Sequence, residues 1–410
     1  MRQRWSVLVI ICLFLTMAAF AAQPPTTTTT PEQAKVAQSN NAFAIELYSH
    51  LSRRPGNLFF SPEGISTALA MTFAGAQSET AAEMSRTLHF TSGQGQLHAA
   101  MGVLLRDRNA AHDGYQLKEA DALWVQTGYS LLPEFLKVTT DNYEGGLNQV
   151  DFKGATEASR HTINTWVAQH TENKIRELLQ PERVTSDTRL VLTNAIYFKG
   201  AWDKQFDKGN TRSEDFWLSA VRTVKAPLMH MKEGFKYFDG GSFQALDIPY
   251  RKKNLSMIVL LPKKVYGLSA FEQSLTPANM QQWLGRLRPA PKIVVTMPKF
   301  KMETELSLKD TLISMGMKEA FDVKTADFSG LASHETMQRD GNLSIGAVIH
   351  KAYVDVNEEG TEAASATAVS QLPGSSTSII FNADHPFMFL IRDNRSGSIL
   401  FIGRVTNPSR

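Results

Sequence analysis

Residues 357–381 read NEEGTEAASATAVSQLPGSSTSIIF, and this stretch decides the fold. It follows a strand-like run, 348–356, and consists mainly of small residues. It lacks the hydrophobic stripe that packing into a core would require. In an extended chain, alternate residues share one face. One face of the tract carries no charge: Thr361, Ala363, Ser365, Thr367 and Val369. The tract is therefore either a flexible connector, the usual role of Ala/Ser/Thr segments, or a strand that joins a sheet later.

Helical periodicity dominates the chain upstream of this tract. Phe43, Leu47 and Leu51 recur at four-residue spacing and predict an amphipathic helix over 33–53. Ser61 followed by Pro62 predicts a helix start, with Ser as the cap and Pro in the first turn. Further helices are predicted over 64–75, 78–88, 95–108, 133–142 and 156–173.

Strand patterns begin near residue 188. Residues 189–199 are apolar on both faces apart from Thr193 and Asn194, which is typical of a central strand. The sequence predicts two strands around a basic turn in 245–261, then strands over 293–300, 347–356, 387–391 and 399–405. Because helices come mainly first and strands later, we expect an α+β fold with antiparallel or mixed sheets.

The N-terminus has the pattern of a secretory signal. Arg2 and Arg4 precede the almost wholly apolar run 7–19, and Ala19-Phe20-Ala21 fits a small-x-small cleavage site. We expect a signal peptide over 1–21, a Pro/Thr-rich linker over 22–31 and one folded domain over 32–410. The protein should then be secreted, to the periplasm or the extracellular space. The alternative is a signal that stays uncleaved as a membrane anchor, since the apolar run approaches spanning length.

Charge and cysteine content exclude several functions. The 410 residues include 43 Lys and Arg against 40 Asp and Glu, and removing Arg2 and Arg4 leaves 41 against 40, or +1. A near-neutral mature chain gives no case for nucleic-acid binding, and no membrane partner is expected once the signal is removed. Cys12 is the only cysteine and lies in the signal, so the mature chain has no disulfide, thiolate metal site or cysteine nucleophile.

Motifs of common enzymes are absent from the sequence. There is no G-x-S-x-G elbow, no Ser followed three residues later by Lys, and no glycine-rich phosphate loop. His334-Glu335 begins like a zinc-binding helix, but Gln338 stands where the second His is required. No cofactor or metal is therefore expected, although a triad assembled in space is not excluded by motifs alone.

Two polar residues lie in predicted strands that are otherwise apolar, Asn194 and His350. A lone buried Asn or His is most often a satisfied core residue. The two side chains could also satisfy each other across adjacent strands. Such a bond would lock the strands together and would have to rearrange if they parted.

Five segments of the chain together resemble the serpin family, in the order expected for that family, from about residue 32 to 408. They are FFSPEGISTALAM (59–71), LTNAIYFKGAWDKQF (192–206), MPKFKMETELSLKDTLISMGMKEAF (297–321), VIHKAYVDVNEEGTEAASATAV (348–369) and FNADHPFMFLIRDNRSGSILFIGRVTNP (381–408). The resemblance implies one α+β domain of three sheets and about nine helices, with an exposed reactive-centre loop.

The resemblance also implies a mechanism. Inhibitory serpins are suicide substrates: a serine protease cleaves the loop, is held as an acyl-enzyme, and is displaced as the loop enters the large sheet, an established instance of strand addition. Insertion of about twelve residues at about 1 kcal/mol per net ladder bond gives on the order of 10 kcal/mol, which is comparable to the stability of a domain. The partner is expected to be a serine protease bound covalently to a monomeric inhibitor that is not an enzyme.

The family's functional positions carry over residue by residue. The loop hinge comprises Gly360, Thr361, Glu362, Ala363, Ala364, Ser365, Ala366 and Thr367, and it matches the inhibitory pattern except for Ser365 in an otherwise Ala run. Ser61, Asn194 and His350 match the shutter, where the central strands separate, and Trp202 matches the tryptophan of the breach, where insertion begins. Glu358 and Lys299 match an ion pair at the base of the loop.

Counting from Gly360 as the first residue, the fifteenth residue is Gly374. The resemblance implies that this position donates the scissile carbonyl, which places the cut at Gly374–Ser375, with Ser375 or Leu372 as alternative donors. Glycine offers nothing to a trypsin-like or chymotrypsin-like pocket, so elastase-like or subtilisin-like proteases fit better. Polyanion activation is not expected, because the helix over 95–108 offers only Arg106 and Arg108. A non-inhibitory binding or carrier protein remains the alternative function.

Overall fold

The computed structural model describes residues 29–144, 146–361 and 378–409. The predicted signal peptide and most of the predicted linker lie outside these ranges. Pro31, the last residue assigned to the linker, is instead the first residue of a helix. Thr30 caps that helix, and its side chain and that of Gln33 form a reciprocal capping box.

Ten α-helices occur in the part of the chain that the structure describes. They are α1 (Pro31–Leu51), α2 (Pro62–Phe73), α3 (Ser78–Thr87), α4 (Gln94–Asn109), α5 (Pro133–Asn142), α6 (Thr156–His170), α7 (Leu268–Gln273), α8 (Pro277–Gly285), α9 (Lys309–Ser314) and α10 (His334–Asp340). The predicted helices of the first half are all present, with ends displaced by at most three residues. Ser61 caps α2, and its side chain accepts a hydrogen bond from the backbone N–H of Gly64.

Fifteen strands are present in the same ranges. They are β1 (Leu58–Phe60), β2 (Tyr115–Gln126), β3 (Leu147–Val150), β4 (Leu190–Ala201), β5 (Arg212–Ser219), β6 (Arg222–Asp239), β7 (Phe243–Pro249), β8 (Leu255–Pro262), β9 (Arg288–Pro298), β10 (Phe300–Ser307), β11 (Ile345–Asn357), β12 (Gly360–Thr361), β13 (Ile379–Asn382), β14 (Phe387–Asp393) and β15 (Ile399–Val405). The strand β2 was not predicted from the sequence.

Hydrogen bonding joins the described strands into two sheets, where the resemblance implied three. One sheet has six strands in the order β10-β11-β12-β4-β2-β3. The other has nine, in the order β1-β15-β14-β8-β7-β6-β9-β13, with β5 also on β6. The 18-residue strand β6 makes the difference, because it pairs with β5 over its first part, with β9 along its middle and with β7 at its end. Its register with β9 shifts at Gly234, and one continuous strand thereby joins groups of strands that would otherwise be separate sheets.

The hydrophobic core lies between the sheets and beneath the helices. Helix α2 is buried along its whole length between the two sheets. Phe59 of β1 stacks on Phe389 and Phe401, with ring centroids 5.8 Å and 5.2 Å apart. Dispersion and the removal of apolar surface from water hold the sheets together, since this part of the chain contains no cysteine. The six-stranded sheet therefore rests on a helix whose N-terminus points at its middle strands.

Candidate functional site

The seam between β4 and β11, two strands of the six-stranded sheet, is where the predicted site residues meet. The strands pair in parallel from Ile345 opposite Leu190 to Tyr353 opposite Tyr197. Beyond that point β12 lies between them and is antiparallel to both. The chain leaving β11 therefore turns back and occupies the first two positions of a strand directed down the seam.

The two residues of β12 fit this position closely. Gly360 has φ 151°, and a Cβ there would lie 2.0 Å from the carbonyl oxygen of Gly200, so only glycine can occupy the turn. Thr361 is fully buried, and its hydroxyl lies 2.8 Å from that of Tyr250. Both belong to the predicted hinge. Tyr250 was not identified from the sequence, where it lies between a predicted strand and a basic turn.

Two acidic residues hold the turn before β12. The ammonium group of Lys299 lies 2.9 Å from the Glu358 carboxylate, which also accepts a hydrogen bond of 2.7 Å from the Thr211 hydroxyl. Burial opposes ionisation of Glu358, but the hydrogen bonds from Lys299 and Thr211 prevail and keep its pKa below the ordinary value. Glu359 pairs with Lys208. The contact predicted between Glu358 and Lys299 is thus present.

Trp202, the predicted breach tryptophan, lies at the end of the seam where β12 pairs with β4. Its indole stacks on Tyr250 at 4.6 Å between ring centroids and donates a hydrogen bond of 3.0 Å to the backbone carbonyl of Asn357. Its backbone N–H donates to the carbonyl of Glu359, also at 3.0 Å. Trp202 is 1% exposed, so a fully packed side chain closes this end of the seam.

The predicted shutter residues lie in contact at the middle of the seam. His350 is directly opposite Asn194, and its Nδ1 lies 2.5 Å from the Asn194 side-chain oxygen. The backbone N–H of Ser61 donates to His350 Nε2 at 3.2 Å. Since an amide N–H can only donate, Nε2 carries no proton and Nδ1 is the donor to Asn194. Burial lowers the pKa of His350 to about 3, which agrees with a neutral ring.

Sequence reasoning missed an ionic cluster that continues from Asn194 beneath the sheet. The Asn194 amide donates to the carboxyl group of Asp121, its neighbour on β2. Glu119 lies two residues earlier on β2, with its carboxylate 3.6 Å from Arg108 of α4. Arg108 also pairs with Glu63 of α2. Two acids at two-residue spacing in a strand share a face, and that spacing is the signal that could have pointed to this cluster.

The remaining predicted positions lie outside the described residues. These are the hinge residues Glu362, Ala363, Ala364, Ser365, Ala366 and Thr367 and the predicted reactive bond Gly374–Ser375. Strand β13 marks where the chain re-enters the described structure, beside β9 in the nine-stranded sheet.

Two kinds of feature are absent from the described residues: a cluster of metal-ligating side chains and a helix that could cross a membrane. No group of three or more metal-ligating side chains occurs in 29–144, 146–361 and 378–409. No described helix is long and apolar enough to cross a membrane.

Comparison with known proteins agrees with this geometry. The family model for serpins, described as serine protease inhibitors, matches residues 38–408. The chain is 39% identical over 392 residues to the leukocyte elastase inhibitor of Homo sapiens, covering 91% of this chain and 100% of that one. It is 38% identical over 382 residues to an uncharacterized serpin-like protein of Methanosarcina acetivorans, covering 91% and 88% of the two chains.

Among solved structures, human thyroxine-binding globulin in complex with its ligand superimposes with a TM-score of 0.81 at 30% identity, covering 92% of this chain and 99% of that one. The chain belongs to the serpin family, as the five sequence segments indicated, and the α+β serpin fold is confirmed.

Proposed function

We propose that this serpin is a suicide-substrate inhibitor of serine proteases and not itself an enzyme. The protease serine attacks the carbonyl of Gly374, the peptide bond to Ser375 breaks, and the amine of Ser375 leaves with a proton. The acyl-enzyme ester remains on Gly374. The freed loop then enters the seam as a new strand and carries the protease away from its starting position.

Strand β12 is the observation that carries the proposal. Its two residues, Gly360 and Thr361, already pair with both strands of the seam, which supports insertion as the extension of a ladder that has begun and needs no new nucleus. The residues after Thr361 are small and, apart from Glu362, uncharged. They can follow into the sheet at little desolvation cost, and the rate of insertion has to exceed the rate at which the acyl ester hydrolyses.

Small-pocket proteases, elastase-like or subtilisin-like, are the proposed targets. Gly374 fills no specificity pocket, so Leu372 and Pro373 supply the contacts on the acyl side of the bond. The relative whose name describes inhibition of leukocyte elastase supports this class.

The proposal is tested by incubating the purified protein with a panel of serine proteases. We expect a complex that survives SDS with at least one elastase-like or subtilisin-like protease, and a cut mapped by mass spectrometry to Gly374–Ser375. The same protease with its catalytic serine replaced by alanine should give no covalent complex. Cleaved protein should melt at a much higher temperature than intact protein. Rapid cleavage without complex for every protease would refute the proposal.

A binding or carrier function is the second candidate. The similarity to thyroxine-binding globulin solved with its ligand favours it. A non-inhibitory serpin of this kind would show an unchanged melting temperature after loop cleavage, because no strand is added to the sheet. The melting curve of the cleaved protein therefore separates the two candidates.

We also propose that the protein is exported and acts as a monomer outside the cytoplasm. Arg2, Arg4 and the apolar run 7–19 support export. A monomer follows from the mechanism, since the loop inserts into the sheet of its own chain. Sedimentation of the mature protein tests the oligomeric state.

A further inference from the structure

A chain of three hydrogen bonds crosses the seam from Ser61 to Asp121, and its donors all point toward Asp121. Asp121, Asn194 and His350 lie opposite one another on β2, β4 and β11, so they form one row across three strands. Ser61 N–H donates to His350, His350 donates to Asn194, and Asn194 donates to Asp121 Oδ1. We call these four residues and Glu119 the seam row. Each member up to Asp121 uses its donor on the next, so the row ends on a carboxyl group.

The carboxyl groups of Asp121 and Glu119, at the end of the row, lack hydrogen-bond donors for most of their oxygens if both are ionised. Asp121 Oδ2 and both carboxylate oxygens of Glu119 are buried and accept no hydrogen bond from the described residues. The Glu119 side chain is 2% exposed, so water does not reach it from the surface. A buried acceptor left unpaired is expensive, and two neighbouring carboxylates repel as well. One proton between them pairs Asp121 Oδ2 with one Glu119 oxygen, because a protonated acid is a donor, and it removes the repulsion between two carboxylates. Glu119 Oε2 also lies 3.6 Å from the Arg108 guanidinium.

Too few cationic side chains lie near Asp121, Glu119 and Glu63 to keep all three carboxyl groups ionised. The charged and titratable groups that face Asp121 and Glu119 are Arg108 on α4, Glu63 on α2 and, through Asn194, His350 on β11. Asp393 of β14 acts on Glu63 and Arg108, and Asp107, Tyr115 and Arg395 lie beyond it. Arg108 already pairs with Glu63, and Arg395 pairs with Asp107 and Asp393. Burial and the neighbouring Glu119 raise the pKa of Asp121 well above its ordinary value.

Helix α2 presses directly on this group. A Cβ on Gly64 would lie 2.3 Å from the Asn194 amide nitrogen and 2.8 Å from Glu119 Oε1, so the helix backbone closes over the polar atoms without a gap. The seam row therefore joins three parts that must move relative to one another when the seam opens: β11, the β2–β4 pair, and α2.

We propose that Asp121 and Glu119 share one proton in the closed sheet, and that this proton stabilises the closed seam. Loss of the proton puts a second negative charge beneath β2 and loosens the contact with α2. The closed sheet is then less stable at alkaline pH than at mildly acidic pH. The link to loop insertion rests on the proposed function, whereas the shared proton does not.

The test compares melting temperatures of the intact protein, without any protease, from about pH 5 to about pH 9. Asp121→Asn keeps a donor toward Glu119 and an acceptor toward Asn194, so it imitates the protonated acid. We expect the melting temperature of Asp121→Asn to be close to that of the wild type near pH 5. At higher pH it should exceed the wild-type value, by about 2 °C per pH unit within the titration window. Taking the difference between variants cancels contributions from titrating groups that do not interact with Asp121 or Glu119. Glu63 does interact with Glu119 and has its pKa raised to about 7 by burial, so Glu63→Gln serves as the common background for all variants.

Two further variants test whether Asp121 and Glu119 share the same proton. Glu119→Gln should have the same effect as Asp121→Asn, and the double variant should add nothing, because one proton serves both residues. The matched control is Asp355→Asn, a half-buried acid on β11 in the same sheet, and its difference from the wild type should not vary with pH. Infrared difference spectra between the wild type and each single variant should show that the carbonyl band of one protonated carboxyl group is lost in the variant.

Several outcomes would overturn the proposal. A melting difference that stays constant with pH, or additive effects of the two single substitutions, would mean that no proton is shared. A rise in the wild-type melting temperature on addition of sodium or calcium at neutral pH would mean that a cation occupies the place of the proton. Since none of these measurements involves a protease, failure to inhibit any protease would leave the result standing.

Discussion

Replacement of Thr361 by arginine is the sharpest test of the seam as the path of insertion. Thr361 is fully buried in β12, between Gly200 of β4 and Val356 of β11. The substitution removes the hydrogen bond to Tyr250, worth about 1 kcal/mol, and introduces a cation that cannot be deprotonated. An unpaired buried charge costs several kcal/mol in practice, so the arginine would be expelled from the seam.

The magnitude decides the outcome of the encounter with a protease. If the change raises the barrier to insertion by about 3 kcal/mol, insertion slows on the order of 150-fold. Hydrolysis of the acyl ester is unaffected, so most encounters should end in cleaved inhibitor and free protease. We therefore expect Thr361→Arg to behave as a substrate.

The assay is a titration of residual protease activity against inhibitor concentration, followed by SDS gels. The wild type should reach full inhibition near one inhibitor per protease, whereas Thr361→Arg should require many and show mainly the cleaved band. Thr361→Ser retains the hydroxyl and serves as the matched control, with a stoichiometry close to wild type. An unchanged stoichiometry for Thr361→Arg would refute the assignment of this residue to the path of insertion.

Four further predictions follow from the same geometry. Gly360→Ala should lower the melting temperature of the intact protein, because the added Cβ overlaps a backbone oxygen; an unchanged melting temperature would contradict the turn described here. Lys299→Ala leaves the buried Glu358 carboxylate with the Thr211 hydroxyl but without its cation. Since Lys299 is partly exposed, we expect the free energy of unfolding in urea to fall by only about 1 kcal/mol, and an unchanged value would mean that the ion pair is unimportant. His350 has its pKa lowered to about 3, so the unfolded state binds the extra proton and stability should fall as the pH drops from about 6.5 toward 3; unfolding curves of His350→Gln should lack this fall. N-terminal sequencing of exported protein should begin at Ala22, and retention of Met1 would instead support an uncleaved anchor.

Local patterns predicted the helices of the first half because each such helix is specified within its own residues. The four-residue spacing of Phe43, Leu47 and Leu51 predicted α1, and Ser61 with Pro62 predicted the start of α2. Hydrogen bonds between residues that are close in the chain, together with side-chain caps, decide where those helices begin and end. The sequence did not predict β2, because the charged residues Lys118, Glu119 and Asp121 interrupt its apolar pattern, and the groups that they contact across the fold lie far away in the chain.

The merging of sheets through β6 also depended on distant partners. The successive pairing of β6 with β5, β9 and β7 is a property of four strands together, and a single glycine at the register shift carries little information by itself. The contact between Tyr250 and Thr361 is of the same kind, since 111 residues separate the two hydroxyl groups.

From the sequence alone came the α+β class, the family, the hinge and the residues of the seam, because these depend on local spacing and on motifs that are contiguous in the chain. Only the tertiary structure decided that β12 already occupies the end of the seam, and that Asp121 and Glu119 lie buried beside a single shared arginine. The physical reason is that burial and electrostatic neighbourhood are set by every element packed around a group, so they exist only once β2, β4, β11, α2 and α4 have come together.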